Sequence, residues 1–178
     1  MAILTRNGVD DTFLKNVLAE MVKEYQHQRQ GSRGNLLHLV GPADARVEYM
    51  LEDDEPAAAA AMIINTQTSS EPGEHWVALF ADNALKKAFL FNSLPLAGKL
   101  FPENVVKQLL SKSYELHYEN RDLLPLQNPT LPLCGFYCLA WLLCHIKNEK
   151  LELCATNWTL NDAIVVTKVW PYVEQIYA

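Results

Sequence analysis

The segment Cys134-Gly135-Phe136-Tyr137-Cys138 puts a cysteine where a loop bearing Pro125, Pro129 and Pro132 runs into an apolar stretch. The stretch from Cys134 to Lys147 reads as a buried central helix. The first N–H groups of a helix lack partners within it and carry partial positive charge. A thiol placed there is favoured as thiolate, the form that attacks a carbonyl carbon. Gly135 lets the backbone bend and leaves room for a substrate chain to approach. A free cysteine in such a place is otherwise a buried packing residue. A nucleophilic thiol also needs a base. Of the five histidines, His75 opens an apolar strand after a polar, glycine-containing loop. Strand ends beside loops are where rigid scaffolds display catalytic groups. His117 sits within a strand and His27 on a solvated helix face, positions that suit structural or surface roles. Trp76 points to the strand face opposite His75.

An imidazole base needs a partner that fixes its tautomer. Asn92 ends the strand expected to pair with that of His75. Its amide oxygen can accept the imidazole Nδ1–H and hold the ring towards Cys134; it orients as a carboxylate does but stabilises imidazolium less. The same residue can instead shape the turn Asn92-Ser93 before Leu94-Pro95. Acyl transfer further requires donors for the oxyanion. The side-chain amide of Gln127, shortly before Cys134, can serve with the Cys134 backbone N–H, although a glutamine in such a loop is commonly just a loop residue. The remaining cysteines, Cys138, Cys144 and Cys154, crowd the same region with His145. The CxxxC spacing is loose and has no second pair, so neither a metal nor another cofactor is expected.

Those residues must be carried by a framework, and the apolar spacing supplies one. Residues 10–30 form a helix with Phe13, Leu14, Val17, Leu18, Met21, Val22 and Tyr25 on one face, capped by Asp10 or Asp11 and ended by Gly31. Gly31 to Gly34 is a turn. Leu36 to Val40 and Val47 to Leu51 are short strands separated by Gly41-Pro42. In Ala57 to Asn65 the alanines favour helix and the second half favours strand. Ser69 to Gly73 is a loop. His75 to Ala81 and Ala88 to Asn92 form a hairpin about Asp82-Asn83. Pro102 opens a helix, and Tyr114 to Tyr118 is a strand. A last helix covers 160–177 with a kink expected at Pro171. The result is one α+β domain spanning 1–178, a mixed sheet flanked by helices.

Bulk properties exclude several classes. Hydrophobic residues make up 49% and charged residues 20%, a globular balance rather than a disordered one. The net charge is −6, from 15 basic and 21 acidic side chains, which gives no broad basic face for nucleic acid. The run Glu52-Asp53-Asp54-Glu55 reads as a solvated loop. No apolar run is long enough to span a bilayer, and Met1 to Leu4 is too short for a secretory signal. The clustered cysteines do not resemble a secreted disulfide framework. A monomer in a reducing, intracellular setting is expected.

Taken together, Ile64-Asn65-Thr66, Gly73-Glu74-His75-Trp76, Phe89-Leu90-Phe91-Asn92, Gln127-Asn128-Pro129 and the Cys134 segment resemble the adenovirus maturation proteases, the adenain-type branch of papain-like thiol proteases. The SUMO-specific proteases share the order His, acidic residue or Asn, Gln, Cys. The resemblance runs from about Met62 to Leu142. It implies a papain-like fold with the nucleophile at the start of the central helix. It implies His75 as base, Asn92 as its orienter, Gln127 in the oxyanion hole, Cys134 as nucleophile, and Trp76 and Gly135 beside the substrate. The implied activity is cleavage of virion precursor proteins by a virus or virus-like element, inside the cell or virion. The alternatives are removal of SUMO or ubiquitin-like modifiers, or a catalytically silent relative that only binds. Asn92 departs from the usual carboxylate, as in some large DNA virus proteases. Adenain is stimulated by a disulfide-linked peptide and by DNA. No cysteine lies between His75 and Cys134 to receive such a peptide, and the chain is acidic, so neither activator is assumed; nucleic acid stays possible but is unsupported by the charge.

Overall fold

A computed structural model describes residues 10–28, 37–43, 59–66, 75–94, 101–119, 125–147 and 162–177. The expectations for Gly31 to Gly34, Val47 to Leu51, the acidic run at 52–55, the loop 69–73, Pro95, Cys154 and the side chain of His27 lie outside the described residues. The elements are α1 (Asp11–Gln28), β1 (Leu37–Ala43), β2 (Ala59–Asn65), β3 (Trp76–Asp82), β4 (Lys87–Phe91), α2 (Glu103–Ser111), β5 (Glu115–Glu119), α3 (Cys134–Ile146) and α4 (Asp162–Tyr177). Five strands form one mixed sheet in the order β1-β2-β3-β4-β5. The two outer pairings are parallel and the two inner ones antiparallel. The expected α+β fold is met.

Both faces of the sheet are covered. Ala61, Ile63, Trp76, Ala78 and Phe91 face a core shared with α1, α3 and α4. Ala60, Met62, Ile64, Val77, Leu79 and Leu90 face a second core closed by Val105 and Leu109 of α2. A strand buried on both sides shows a continuous apolar run and no alternation. This is why Ala59 and Ala60 belong to β2 despite the helical preference of alanine: tertiary burial overrides weak propensity. Asp10 caps α1, its Oδ1 accepting the Phe13 N–H at 2.7 Å. Asp82 organises the β3–β4 turn by accepting the Leu85 N–H at 2.9 Å.

One proline expectation is corrected. Gly41-Pro42 does not end β1, which continues to Ala43 with an irregular register after Val40. β1 lies at the sheet edge, where a proline forfeits no ladder bond on its open side. The last helix runs from Asp162 to Tyr177 with Pro171 inside it. Pro171 is exposed, so water can take the carbonyl that its missing N–H leaves free.

α3 is buried along all thirteen residues. A helix apolar on every side must lie inside the molecule, and here α3 packs between β3, α1 and α4. The Trp141 ring stacks on Phe91 at 5.3 Å and 8°, tying the helix to the end of β4. The position of the α3 start is therefore fixed by the core itself.

Candidate active site

The antiparallel β3–β4 pairing sets Ala78 opposite Phe91. The residue just before β3 and the residue just after β4 consequently meet at one end of the sheet. They are His75 and Asn92. The His75 Nε2–H donates to Asn92 Oδ1 at 2.7 Å. This corrects the expectation of an Nδ1 bond. With Nε2–H committed, Nδ1 is the basic nitrogen of the neutral ring. The His75 carbonyl accepts the Thr66 N–H at 2.9 Å, which anchors this corner to the end of β2. Asn92 Oδ1 also accepts the Leu94 N–H at 2.9 Å. Both readings of Asn92 therefore hold on one oxygen: it shapes the turn and holds the histidine.

Cys134 is the first residue of α3, after Leu133, whose side chain offers no cap. α3 packs across β3, and backbone hydrogen bonds from Trp76, Gly135 and Cys134 itself draw the thiol pKa down. Trp76 follows His75 directly, so the sulfur lies against the backbone of the histidine corner. Burial acts in the opposite direction and prevails, leaving the thiol above its ordinary value. Desolvation thus opposes the helix terminus at this sulfur. Burial likewise pushes the His75 imidazole below its ordinary value, against the Asn92 bond that raises it.

Gln127 is buried at 3% exposure. Its Oε1 accepts the Ser93 hydroxyl at 2.7 Å, and its Nε2 donates to the Leu131 carbonyl at 3.3 Å. The loop around it is pinned on two sides. The Leu126 N–H donates to the Ser93 carbonyl at 2.8 Å. The Tyr137 hydroxyl lies 2.8 Å from the Leu126 carbonyl and 2.9 Å from Asp162 Oδ1. Gly135 is buried at the helix start, and Trp76 is 7% exposed with its ring in the core beneath the site. Ser93 escaped the sequence reading. The available signal was its place beside Asn92, which reads as ordinary turn chemistry.

Cys138 and Cys144 are buried and form no disulfide. Burial, followed by the proximity of Cys134, pushes the Cys138 thiol well up. Cys134 retains 8% exposure, against 0% and 3% for the other two. Iodoacetamide should therefore modify Cys134 before Cys138 and Cys144 in the folded protein, as read by peptide mass spectrometry. Equal labelling of the three would contradict this. Among the described residues, no group of three or more His, Cys, Asp or Glu side chains is placed to hold a metal ion. No helix among them is long and apolar enough to cross a membrane.

A second buried imidazole, His145, lies about 16 Å along α3 from Cys134 by helical rise. It packs on Phe80 at 4.8 Å and Trp141 at 4.1 Å. Its Nε2 stands 3.6 Å from Glu119 Oε1, while Glu119 Oε2 accepts the Trp141 indole N–H at 2.7 Å. Burial lowers its pKa more than Glu119 raises it. His75 and His145 thus both hold their protons less well in the fold than in the unfolded chain. Near and below an ordinary histidine value of 6.5, the unfolded state binds more protons, so stability decreases as the pH is lowered. The urea midpoint should be lower at pH 5.5 than at pH 7.5; an equal or higher acid midpoint would contradict this.

No family model matches the chain, and no curated protein matches it. Solved structures do. The ASFV pS273R protease superposes with a TM-score of 0.66 at 14% identity, over 95% of this chain and 68% of that one. The SUMO protease Ulp1 with its catalytic cysteine oxidised to a sulfenic acid gives 0.56 at 11%, over 99% and 82%. The Ulp1 protease domain in complex with Smt3, the yeast orthologue of SUMO, gives 0.51 at 12%, over 94% and 80%. The chain therefore has the fold of the viral and SUMO-specific cysteine proteases.

Proposed function

We propose that the chain is a cysteine endopeptidase in which Cys134 attacks, His75 carries the proton, Asn92 orients His75, and Gln127 with the Cys134 N–H holds the oxyanion. The observation that carries this is the 2.7 Å His75–Asn92 bond at the corner whose next residue, Trp76, bonds to the Cys134 sulfur. In the proposed cycle the Cys134 proton passes to His75 Nδ1 as the sulfur bonds to the scissile carbonyl carbon. His75 then gives its proton to the leaving amine. It next takes one from the water that hydrolyses the thioester, and Cys134 recovers its proton on release. Trp76 and Gly135 flank the substrate path.

The proposed substrates are precursor proteins of a virus or virus-like element, processed inside the cell or virion by a monomer without a metal or activator. The higher TM-score with the ASFV protease supports this branch. The complex of Ulp1 with Smt3 favours a second reading, release of ubiquitin-like modifiers. Incubation with a capsid-precursor peptide library and with a ubiquitin-like C-terminal reporter, using Cys134→Ala as control, separates the two. Turnover of the library alone supports maturation, and turnover of the reporter alone supports the isopeptidase. Turnover of neither favours a silent binding relative.

Asn92 provides a sharper test of the triad. Asn92→Ala should lower kcat/KM by at least about tenfold, because the ring loses the partner that fixes its tautomer. Asn92→Asp keeps the acceptor and should remain active. Its negative charge favours imidazolium and disfavours thiolate, so both limbs of the pH–rate profile should move to higher pH. Wild-type activity in Asn92→Ala would reduce the triad to a dyad.

A further inference from the structure

An amide side chain is useful in an oxyanion hole only one way round. Its N–H end must face the reacting carbonyl, since the reverse orientation presents an oxygen to an oxyanion. Gln127 is buried, with two polar neighbours. The Ser93 hydroxyl lies 2.7 Å from Oε1 and the Leu131 carbonyl 3.3 Å from Nε2. The carbonyl can only accept, whereas the hydroxyl can either donate or accept. Leu131 therefore fixes which end carries nitrogen, and Ser93 completes the arrangement by donating to oxygen. Nε2 has two hydrogens; one serves Leu131, and the second is left to donate to a reacting oxygen.

We propose that Ser93 is a positioning residue that holds the Gln127 amide in its donating orientation, and that Asn92-Ser93 is one device setting both the base and the oxyanion donor. The inference rests on the cysteine-protease reading above. Ser93 is fully buried, so its hydroxyl has no water to compete with Gln127. Its carbonyl accepts the Leu126 N–H at 2.8 Å, fixing the backbone just before Gln127. The preceding residue holds His75. Two adjacent side chains after β4 thus reach in two directions, one to the strand corner and one to the loop before α3.

The test compares wild type, Ser93→Ala, Gln127→Ala and the double variant on a peptide substrate. Folding is checked by urea midpoint, and the Gln127 side-chain amide is followed in 15N-labelled protein. Ser93→Ala should lower kcat about 10-fold, short of the roughly 10²–10³ expected when an oxyanion donor is removed outright, with KM changed less than about twofold. The double variant should be no slower than Gln127→Ala alone, because Ser93 acts only through Gln127. The Gln127 amide signals should move in Ser93→Ala. Ser93→Cys is close in volume but a weak donor, and it should show the same losses if Ser93→Ala does not fold. An unchanged kcat, a double variant slower than Gln127→Ala, or unmoved Gln127 signals would each overturn the role of Ser93. If wild type cleaves nothing, the protease reading falls, while the amide signals still decide whether Ser93 orients Gln127.

Discussion

Cys134→Ala should reduce peptide hydrolysis by at least about 10⁴-fold, the scale of losing a covalent nucleophile in enzymes whose groups act as a unit. Among the described residues, the nearest sulfur along α3 is not placed to substitute. Cys138 is a full helical turn deeper with no exposure, and its thiol is pushed well above its ordinary value. The fold should survive, since the substitution removes one partly exposed sulfur atom at a helix start. A cost of about 1 kcal/mol would move Tm by roughly 2–4 °C for a chain of this size. Kinetics and a thermal melt on the same preparation decide the matter. Hydrolysis persisting in Cys134→Ala would end the thiol mechanism, and a collapsed melt would move the effect from chemistry to folding.

Gln127→Ala should lower kcat by about 10²–10³-fold, or roughly 3–4 kcal/mol of transition-state stabilisation, with KM little altered. The asymmetry follows from timing. A scissile carbonyl becomes an oxyanion only as the sulfur attacks, so a donor aimed at that charge acts on the transition state more than on the bound substrate. The Cys134 backbone N–H remains and accounts for residual activity. Steady-state kinetics separate the parameters. A raised KM with unchanged kcat would assign Gln127 to binding and remove it from the oxyanion hole.

His75 and Cys134 are legible because each lies at a junction of an apolar element and a polar loop, a feature that composition and spacing reveal. Gln127 is legible only by resemblance to other proteases, since a glutamine in a proline-bearing loop carries no periodic signal. Ser93 is invisible for a different reason. Its partner is 34 residues away, and nothing local distinguishes a serine that bonds across the molecule from one that closes a turn. The identity of the bonded imidazole nitrogen is likewise a property of ring rotation in the folded protein. The helix terminus beside the thiol is readable from sequence, whereas the depth of burial opposing it is not. Gly41-Pro42 shows a related limit. A proline disrupts an element only where its missing bond cannot be taken by solvent or left open at an edge, and exposure is settled by the whole fold.

For the proposed protease, the wholly buried α3 makes the time at which reactivity is acquired a matter of synthesis. Chains leave the ribosome from the N-terminal end, so His75, Asn92, Ser93 and Gln127 emerge before Cys134. The helix bearing Cys134 has no surface face on which to rest alone, and its residues pack against β3, α1 and α4. α4 follows it in sequence. A growing chain therefore holds its nucleophile apart from its base until the last helix has docked. Completion of the core and arming of the thiol become one event, which protects the nascent polypeptide and its neighbours from premature cleavage.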